Sequence, residues 1–199
     1  MPIITPSLGM ANDMNNTITD WHNDHLYFAH LLDLLQNQIG AFFEGRQPNY
    51  RLIAKIVEYM CDYGDRIHHP REDVAFSLLV KRDPDIQLVV NRLLQEHLVI
   101  AETSGQLLDH FKGAEWDVIT PRDVLVAQAA VYLAYYRNHL SSEENLVMPR
   151  TVEMLTAEDW AKVGAAVVPK SVHPVCGISL QEHFATLRKQ IHDEEQLDR

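Results

Sequence analysis

The sequence predicts an all-α fold: an up-down-up-down four-helix bundle with additional C-terminal helices. Three observations carry that prediction. Apolar residues recur at steps of three and four along four long stretches, no run alternates with period two, and short Pro- or Gly-containing breaks separate the stretches.

Residues 1–16 hold Pro2, Pro6, Gly9 and several Asn without an apolar period, and read as a flexible N-terminal lead-in. The bundle is expected over residues 17–155. Its first stripe is Trp21, His25, Phe28, Leu32, Leu35, Ile39 and Phe42, ending near Gly45. After the Gln47-Pro48-Asn49 break comes the second: Ile53, Val57, Met60 or Cys61, Gly64, His68, Glu72, Ala75 and Leu79. Pro70 lies inside it, removes one backbone donor, and should kink or loosen that turn.

Asp83-Pro84-Asp85 is a stop and restart. The third stripe runs Ile86, Val90, Leu93, His97, Ile100, Ser104, Leu107 and Phe111, and ends at Gly113. Thr120-Pro121 reads as cap plus first-turn proline of the fourth helix, with the stripe Leu125, Ala129, Tyr132, Tyr136, His139, Glu143 and Leu146. A C-terminal helical extension follows over residues 156–199. It comprises a short helix opening at Thr156 to Asp159, a loop from Pro169 to Gly177, and a final helix that Ser179 and Glu182 cap reciprocally.

Composition narrows the function. With 17 Lys and Arg against 28 Asp and Glu, the net charge of −11 makes a phosphate-tracking surface, and so a nucleic-acid partner, a poor expectation. Cys61 and Cys176 form no paired spacing, so neither a disulfide framework nor a cysteine zinc site is indicated. No secretory leader or membrane-spanning run is visible, which predicts a cytoplasmic protein and makes the Asn15-Asn16-Thr17 glycosylation match incidental. Glycine-rich phosphate loops and G-x-S-x-G elbows are absent from the sequence.

Each of the four stripes is interrupted by a histidine in register: His25, His68, His97 and His139. Two of them are followed four residues later by glutamate, Glu72 and Glu143, and an i, i+4 pair shares one helix face. A single inward histidine is ordinarily a core residue satisfied by a hydrogen bond. Four imidazoles and two carboxylates turned into a low-dielectric interior are different, because two buried glutamates repel unless cations or protons intervene. Helix bundles that hold two metals do so with inward carboxylates and His-plus-Glu helix pairs.

Nitrogen and oxygen donors without thiolate suit iron, manganese or zinc. Four imidazole bonds and two bridging carboxylates, each bonding both ions, leave two six-coordinate metals short of four bonds. An oxide or hydroxide bridge supplies two of these. The last two positions would be open to dioxygen, nitric oxide or peroxide.

The order His … His-x-x-x-Glu … His … His-x-x-x-Glu, one element per helix, resembles the hemerythrin-like (HHE cation-binding) proteins. The stretches that carry the likeness are Asp24-His25, Ile67 through Asp73, Glu96-His97, and His139 through Met148-Pro149, within residues 18–155. The resemblance implies a non-haem di-iron site, oxo- or hydroxo-bridged, with His25, His68, His97 and His139 as terminal ligands and Glu72 and Glu143 as bridges. Oxygen-carrying members resemble this chain but have a second third-helix histidine where it has Ala101, and a His-x-x-x-x-Asp motif where it has Glu143 and Glu144. The pattern looks closer to relatives that sense iron or oxygen, respond to nitric oxide or help restore iron centres.

Other residues are expected to play lesser parts. His22 reads as solvent-facing, His69 and Glu96 as outer neighbours or surface residues, and His30 and His110 as outer-face residues. His183 and His192 read as solvated. Tyr63, Tyr132, Tyr135 and Tyr136 are expected to pack with satisfied hydroxyls, and His173 with Cys176 is a weak loop pair. Three functions fit: a di-iron protein in gas or redox response or iron handling, a di-iron enzyme acting on peroxide or nitric oxide, and a metal-stabilised interaction module using residues 157–196. A small diatomic ligand or peroxide is the expected partner, with a protein partner or homo-oligomer also compatible.

Overall fold

The computed structural model describes residues 8–114, 121–166 and 179–198, and among these no β-strand occurs. The first bundle helix, α1 (Leu8–Phe43), starts inside the stretch expected to be an irregular lead-in. Nothing after Pro6 breaks a helix outright, and one internal glycine costs only about 1 kcal/mol against alanine. The helix ends by a left-handed stop: Gly45 has φ 71°, and the Arg46 N–H reaches back to the Ala41 carbonyl at 3.0 Å.

The second bundle helix is a composite. Asn49 caps α2 (Tyr50–Tyr59) by accepting from the Leu52 N–H at 3.0 Å. The chain then widens into a π-helical segment, Met60–His68, and resumes as α3 (His69–Arg82) with Pro70 in its first turn. Pro70 has no N–H to give, and the His69 N–H reaches back five residues to the Gly64 carbonyl. A loosened turn was expected here; it takes the form of nine residues of π-helix. Gly64 also makes room for the Tyr136 side chain, since a Cβ there would meet its hydroxyl at 3.0 Å.

A 3-10 turn, Pro84–Ile86, leads into α4 (Gln87–Ala114). The fourth bundle helix is again composite: α5 (Arg122–Ser142), a π segment Glu143–Val147, and α6 (Met148–Met154) with Pro149 in its first turn. Pro121 stands at the cap position of α5 rather than in its first turn, and Thr120 lies outside the described residues. The wider π turn also shifts the register. Val147 is buried and Leu146 is exposed, so the inward position expected at Leu146 falls one residue later.

Consecutive bundle helices pack as neighbours, and α5 closes back onto α1. The buried apolar residues form two separate clusters. One holds Phe28, Leu32, Ile56, Leu107, Tyr132 and Tyr136; the other holds Trp21, Phe76, Leu93, Val147, Trp160 and Val163. A polar layer separates them.

The C-terminal helices belong to these cores. The short α7 (Ala157–Ala166) is capped by Thr156 and Asp159 and packs on α1 and α3 through Trp160 and Val163. The last helix, α8 (Leu180–Leu197), has the expected reciprocal Ser179–Glu182 cap and lays Phe184, Leu187 and Ile191 against α2. Arg188 of α8 donates to the Tyr59 hydroxyl at 2.7 Å and covers the Tyr27 ring.

Candidate metal centre

The polar layer contains all six side chains singled out by the helix stripes. His25, His68, Glu72, His97, His139 and Glu143 are buried, none more than 5 % exposed. Their inward nitrogens converge on the two carboxylates, and the convergence divides into halves. His25 Nε2 and His68 Nε2 lie 3.1 and 3.0 Å from Glu72 Oε1, and 3.0 Å from each other. His139 Nε2 lies 3.0 Å and His97 Nε2 3.4 Å from Glu143 Oε1.

Each carboxylate also faces the other half. Glu72 Oε2 is 3.4 Å from His97 Nε2, and Glu143 Oε2 is 3.6 Å from His25 Nε2. One oxygen of each glutamate is therefore turned toward each histidine pair. Trp21 donates its indole N–H to Glu72 Oε1 and His25 Nε2, fixing the glutamate from the apolar side.

The outer nitrogens follow a second rule, and it runs around the bundle as a ring. Asp24 on α1 lies 3.1 Å from His68 Nδ1, and Asp73 on α3 lies 2.7 Å from His97 Nδ1. Glu96 on α4 lies 3.1 Å from His139 Nδ1, and Glu144 of the second π segment lies 2.7 Å from His25 Nδ1. Each acid is the sequence neighbour of an inward residue, yet it serves the histidine of the next helix. Such carboxylates fix an imidazole's tautomer, orient its ring and raise its basicity as a ligand. Tyr63 extends one arm of the ring by donating to Asp24 at 2.7 Å, and Arg188 of α8 reaches the same carboxylate at 3.6 Å.

The electrostatics are those of a site built for positive charge. Burial alone would lower the histidines, but Glu144, Glu72 and Glu143 raise His25 to about 10. Asp73, Glu143 and Glu72 likewise raise His97 to about 12 against its burial, and Glu143 with Glu96 raises His139 to about 8. Burial pushes Glu72 up, but His68, His25 and His97 outweigh it and hold the carboxyl well below its usual range. Burial and the charge of Glu72 push Glu143 up too, and His139 and His97 bring it down.

The donor set fits cations on two further grounds. Among the described residues, Glu72 Oε2, Glu143 Oε2 and His139 Nε2 are buried without a hydrogen-bond partner, an arrangement that is costly unless something else satisfies them. Two donors each about 2.1 Å from one ion at a right angle stand roughly 3 Å apart, and the 3.0–3.1 Å spacings within each half match that edge length. A cleft of about 210 Å³ between α1, α3 and α7 reaches the layer, lined by Trp21, Asp24, His68, Arg71, Glu72 and Val163 among others.

Several residues fall elsewhere than expected. His69 is buried, stacked on the His97 ring at 4.2 Å, and groups with Glu72, His97 and His139 as a possible metal-holding set. Burial and the neighbouring His97 hold its imidazole well below the usual histidine value. His183 is buried rather than solvated, 3.2 Å from Asp62. Glu96, buried beside His139, takes the outer-neighbour place expected of it, His22 is exposed as expected and 3.1 Å from Glu144, and His110 is half-buried. His30 and His192 are exposed as expected. Tyr135 is exposed, and the buried Tyr132 hydroxyl has no hydrogen-bond partner among the described residues. His173 and Cys176 lie outside the described residues.

A helical bundle with a buried layer of histidines and glutamates between two apolar clusters defines a metal-binding class of protein. The hemerythrin HHE cation-binding domain family matches residues 16–151, and the chain belongs to that family. Searches of curated proteins and of solved structures gave no significant match. Among the described residues no helix is long and apolar enough to cross a membrane.

Proposed function

We propose that the chain holds two iron ions, one at His25 and His68 and the other at His97 and His139, with Glu72 and Glu143 shared between them. The observation that carries this reading is the split of each glutamate, one oxygen toward each histidine pair. The thiolate-free donor set suits iron, and the pair would serve in redox or gas response or in iron handling. When bound, a redox-active pair supplies electrons and open coordination positions to a small ligand such as dioxygen, nitric oxide or peroxide.

The chain's own residues do the rest. The ring of Asp24, Asp73, Glu96 and Glu144 holds the imidazoles in place, and Trp21 clamps Glu72. The two apolar clusters exclude bulk water above and below the layer, while the cleft beside His68 admits a molecule of a few atoms. The test is metal analysis of chain produced with ample iron, combined with absorption spectra before and after dioxygen, nitric oxide and peroxide. About two irons per chain and near-ultraviolet bands of a coupled ferric pair, altered by at least one of the three, are expected. A chain that takes up no iron, or whose spectrum none of them changes, contradicts the reading.

A further inference from the structure

The cleft that reaches the buried layer has one wall the four-helix bundle does not supply. Trp21 and Asp24 of α1 form one side, His68 and Glu72 the floor, and Val163 and Gly164 of α7 the remaining side. Helix α7 lies beyond residue 151, outside the matched family domain. Glu72 and His68 are 1 % and 4 % exposed, whereas Asp20 and Gly164, which also line the cleft, are exposed. The cleft therefore leads from solvent to the two floor residues.

The α7 wall is anchored. Arg82 at the end of α3 reaches Asp159 in the first turn of α7 at 2.6 Å, and Trp160 and Val163 are buried in the apolar cluster. Gly164 follows on the same helix face, four residues after Trp160. None of the usual reasons for a glycine applies to it. Among the described residues Gly45 is the glycine with positive φ, so backbone conformation does not require one here. It stands inside a helix, where only proline is a poorer former. Nor does a neighbour crowd it: a Cβ at Gly164 would meet nothing within 4 Å, in contrast to Gly64. What the missing side chain leaves is open space on the cleft side of α7.

We infer that Gly164 sets the width of the route by which small ligands reach the layer, with α7 as its wall. This rests on the two-ion reading above and names the passage that serves it. The ligand class is that of dioxygen, nitric oxide and peroxide, which a space of about 210 Å³ accommodates. A large side chain at position 164 would narrow the passage without touching any of the six inward histidines and glutamates.

The experiment follows nitric oxide association and release by stopped-flow absorption on the iron-loaded, reduced chain. Gly164→Phe should slow both by about tenfold and leave their ratio unchanged, because a narrowed passage hinders entry and exit alike. Ala161→Phe puts the same bulk at an exposed position of α7 outside the cleft and should change neither rate. A changed ratio, or unchanged rates in Gly164→Phe, overturns the inference and leaves the two-ion reading standing. A second readout needs no metal. In the metal-free chain, dissolved dioxygen should broaden the indole N–H resonance of Trp21 more than that of Trp160, which is buried in the same cluster but does not line the cleft. Gly164→Phe should remove that difference, and equal broadening in wild type overturns the route. A chain that binds neither iron nor nitric oxide overturns the two-ion reading, and the dioxygen result then decides the route by itself. If Gly164→Phe does not fold, Gly164→Leu takes its place, with a smaller but parallel loss of both rates.

Discussion

The two His-x-x-x-Glu arms are built alike and loaded differently. Each couples its pair to a π-helical segment followed by a helix with proline in its first turn, Pro70 in one and Pro149 in the other. In the first arm the π segment precedes the pair and ends at His68; in the second it begins at Glu143. The first arm also carries more contacts. Glu72 meets Trp21, His25, His68 and His97, whereas Glu143 meets His25, His97 and His139 and, among the described residues, has no indole clamp. The same motif therefore yields one firmly anchored bridge and one held by imidazoles alone.

That asymmetry can be broken most severely at the glutamates. Glu72→Gln should lose both ions, because it removes charge from the side chain that four inward groups share. Glu143→Gln should keep partial occupancy. Iron-to-chain ratios after exhaustive dialysis check this, and equal losses would mean that the extra contacts on Glu72 are incidental.

A comparable effect on folding is expected from the apolar cluster nearest the first arm. Phe76 is fully buried beside Trp21 and His97, and Phe76→Ala should lower unfolding free energy by about 3–5 kcal/mol. Urea denaturation measures it. A change below about 1 kcal/mol would show that the site, not packing, sets stability.

The outer ring offers a smaller and graded test. Asp24→Asn should weaken metal affinity about 10–100-fold, the range found for partners of metal-bound histidines. Asp73→Asn should lie at the lower end, because the Asp73 side chain is 47 % exposed and water can replace it. Competition with a chelator ranks the two, and the reverse order would contradict the burial argument.

The last test is the pH response of the metal-free chain. His25 and His97 titrate near 10 and 12 when folded against an ordinary 6.5, so their contribution is complete below about 6.5 and fades as pH rises through those values. Glu72 and Glu143 are depressed from 4.5, so theirs is present above that value and fades on acidification. Stability should peak between about pH 4.5 and 6.5 and decline on the alkaline side. Because imidazoles must be neutral to bind metal, loading near neutrality should release protons and tighten as pH rises. Thermal melts and calorimetry in buffers of different ionisation heat test both signs. A melting temperature that does not fall between pH 7 and 9 would remove the electrostatic argument.

Much of this was legible in the residues. The four histidines and two glutamates are visible because each takes a stripe position where a leucine would otherwise sit, and helical period alone turns it inward. The widening near Pro70 also left a trace, since Met60, Gly64, His68 and Glu72 follow at uninterrupted steps of four, longer than the 3.6 of an α-helix. The shift from Leu146 to Val147 left no comparable trace, as only one turn remained to display it. His69 was missed because an ordinary helix puts neighbouring residues on different faces, while the fold buries both His68 and His69 where the π segment meets α3. The acid ring is tertiary in origin. An acid beside an inward residue can be read from sequence, but that it serves the next helix cannot.

The most direct test of the central claim is anomalous diffraction at the iron absorption edge from crystals of the iron-loaded chain. Two peaks inside the bundle, one at His25 and His68 and the other at His97 and His139, with Glu72 and Glu143 reaching both, is the predicted result. A single peak, or two that share no carboxylate, would contradict it.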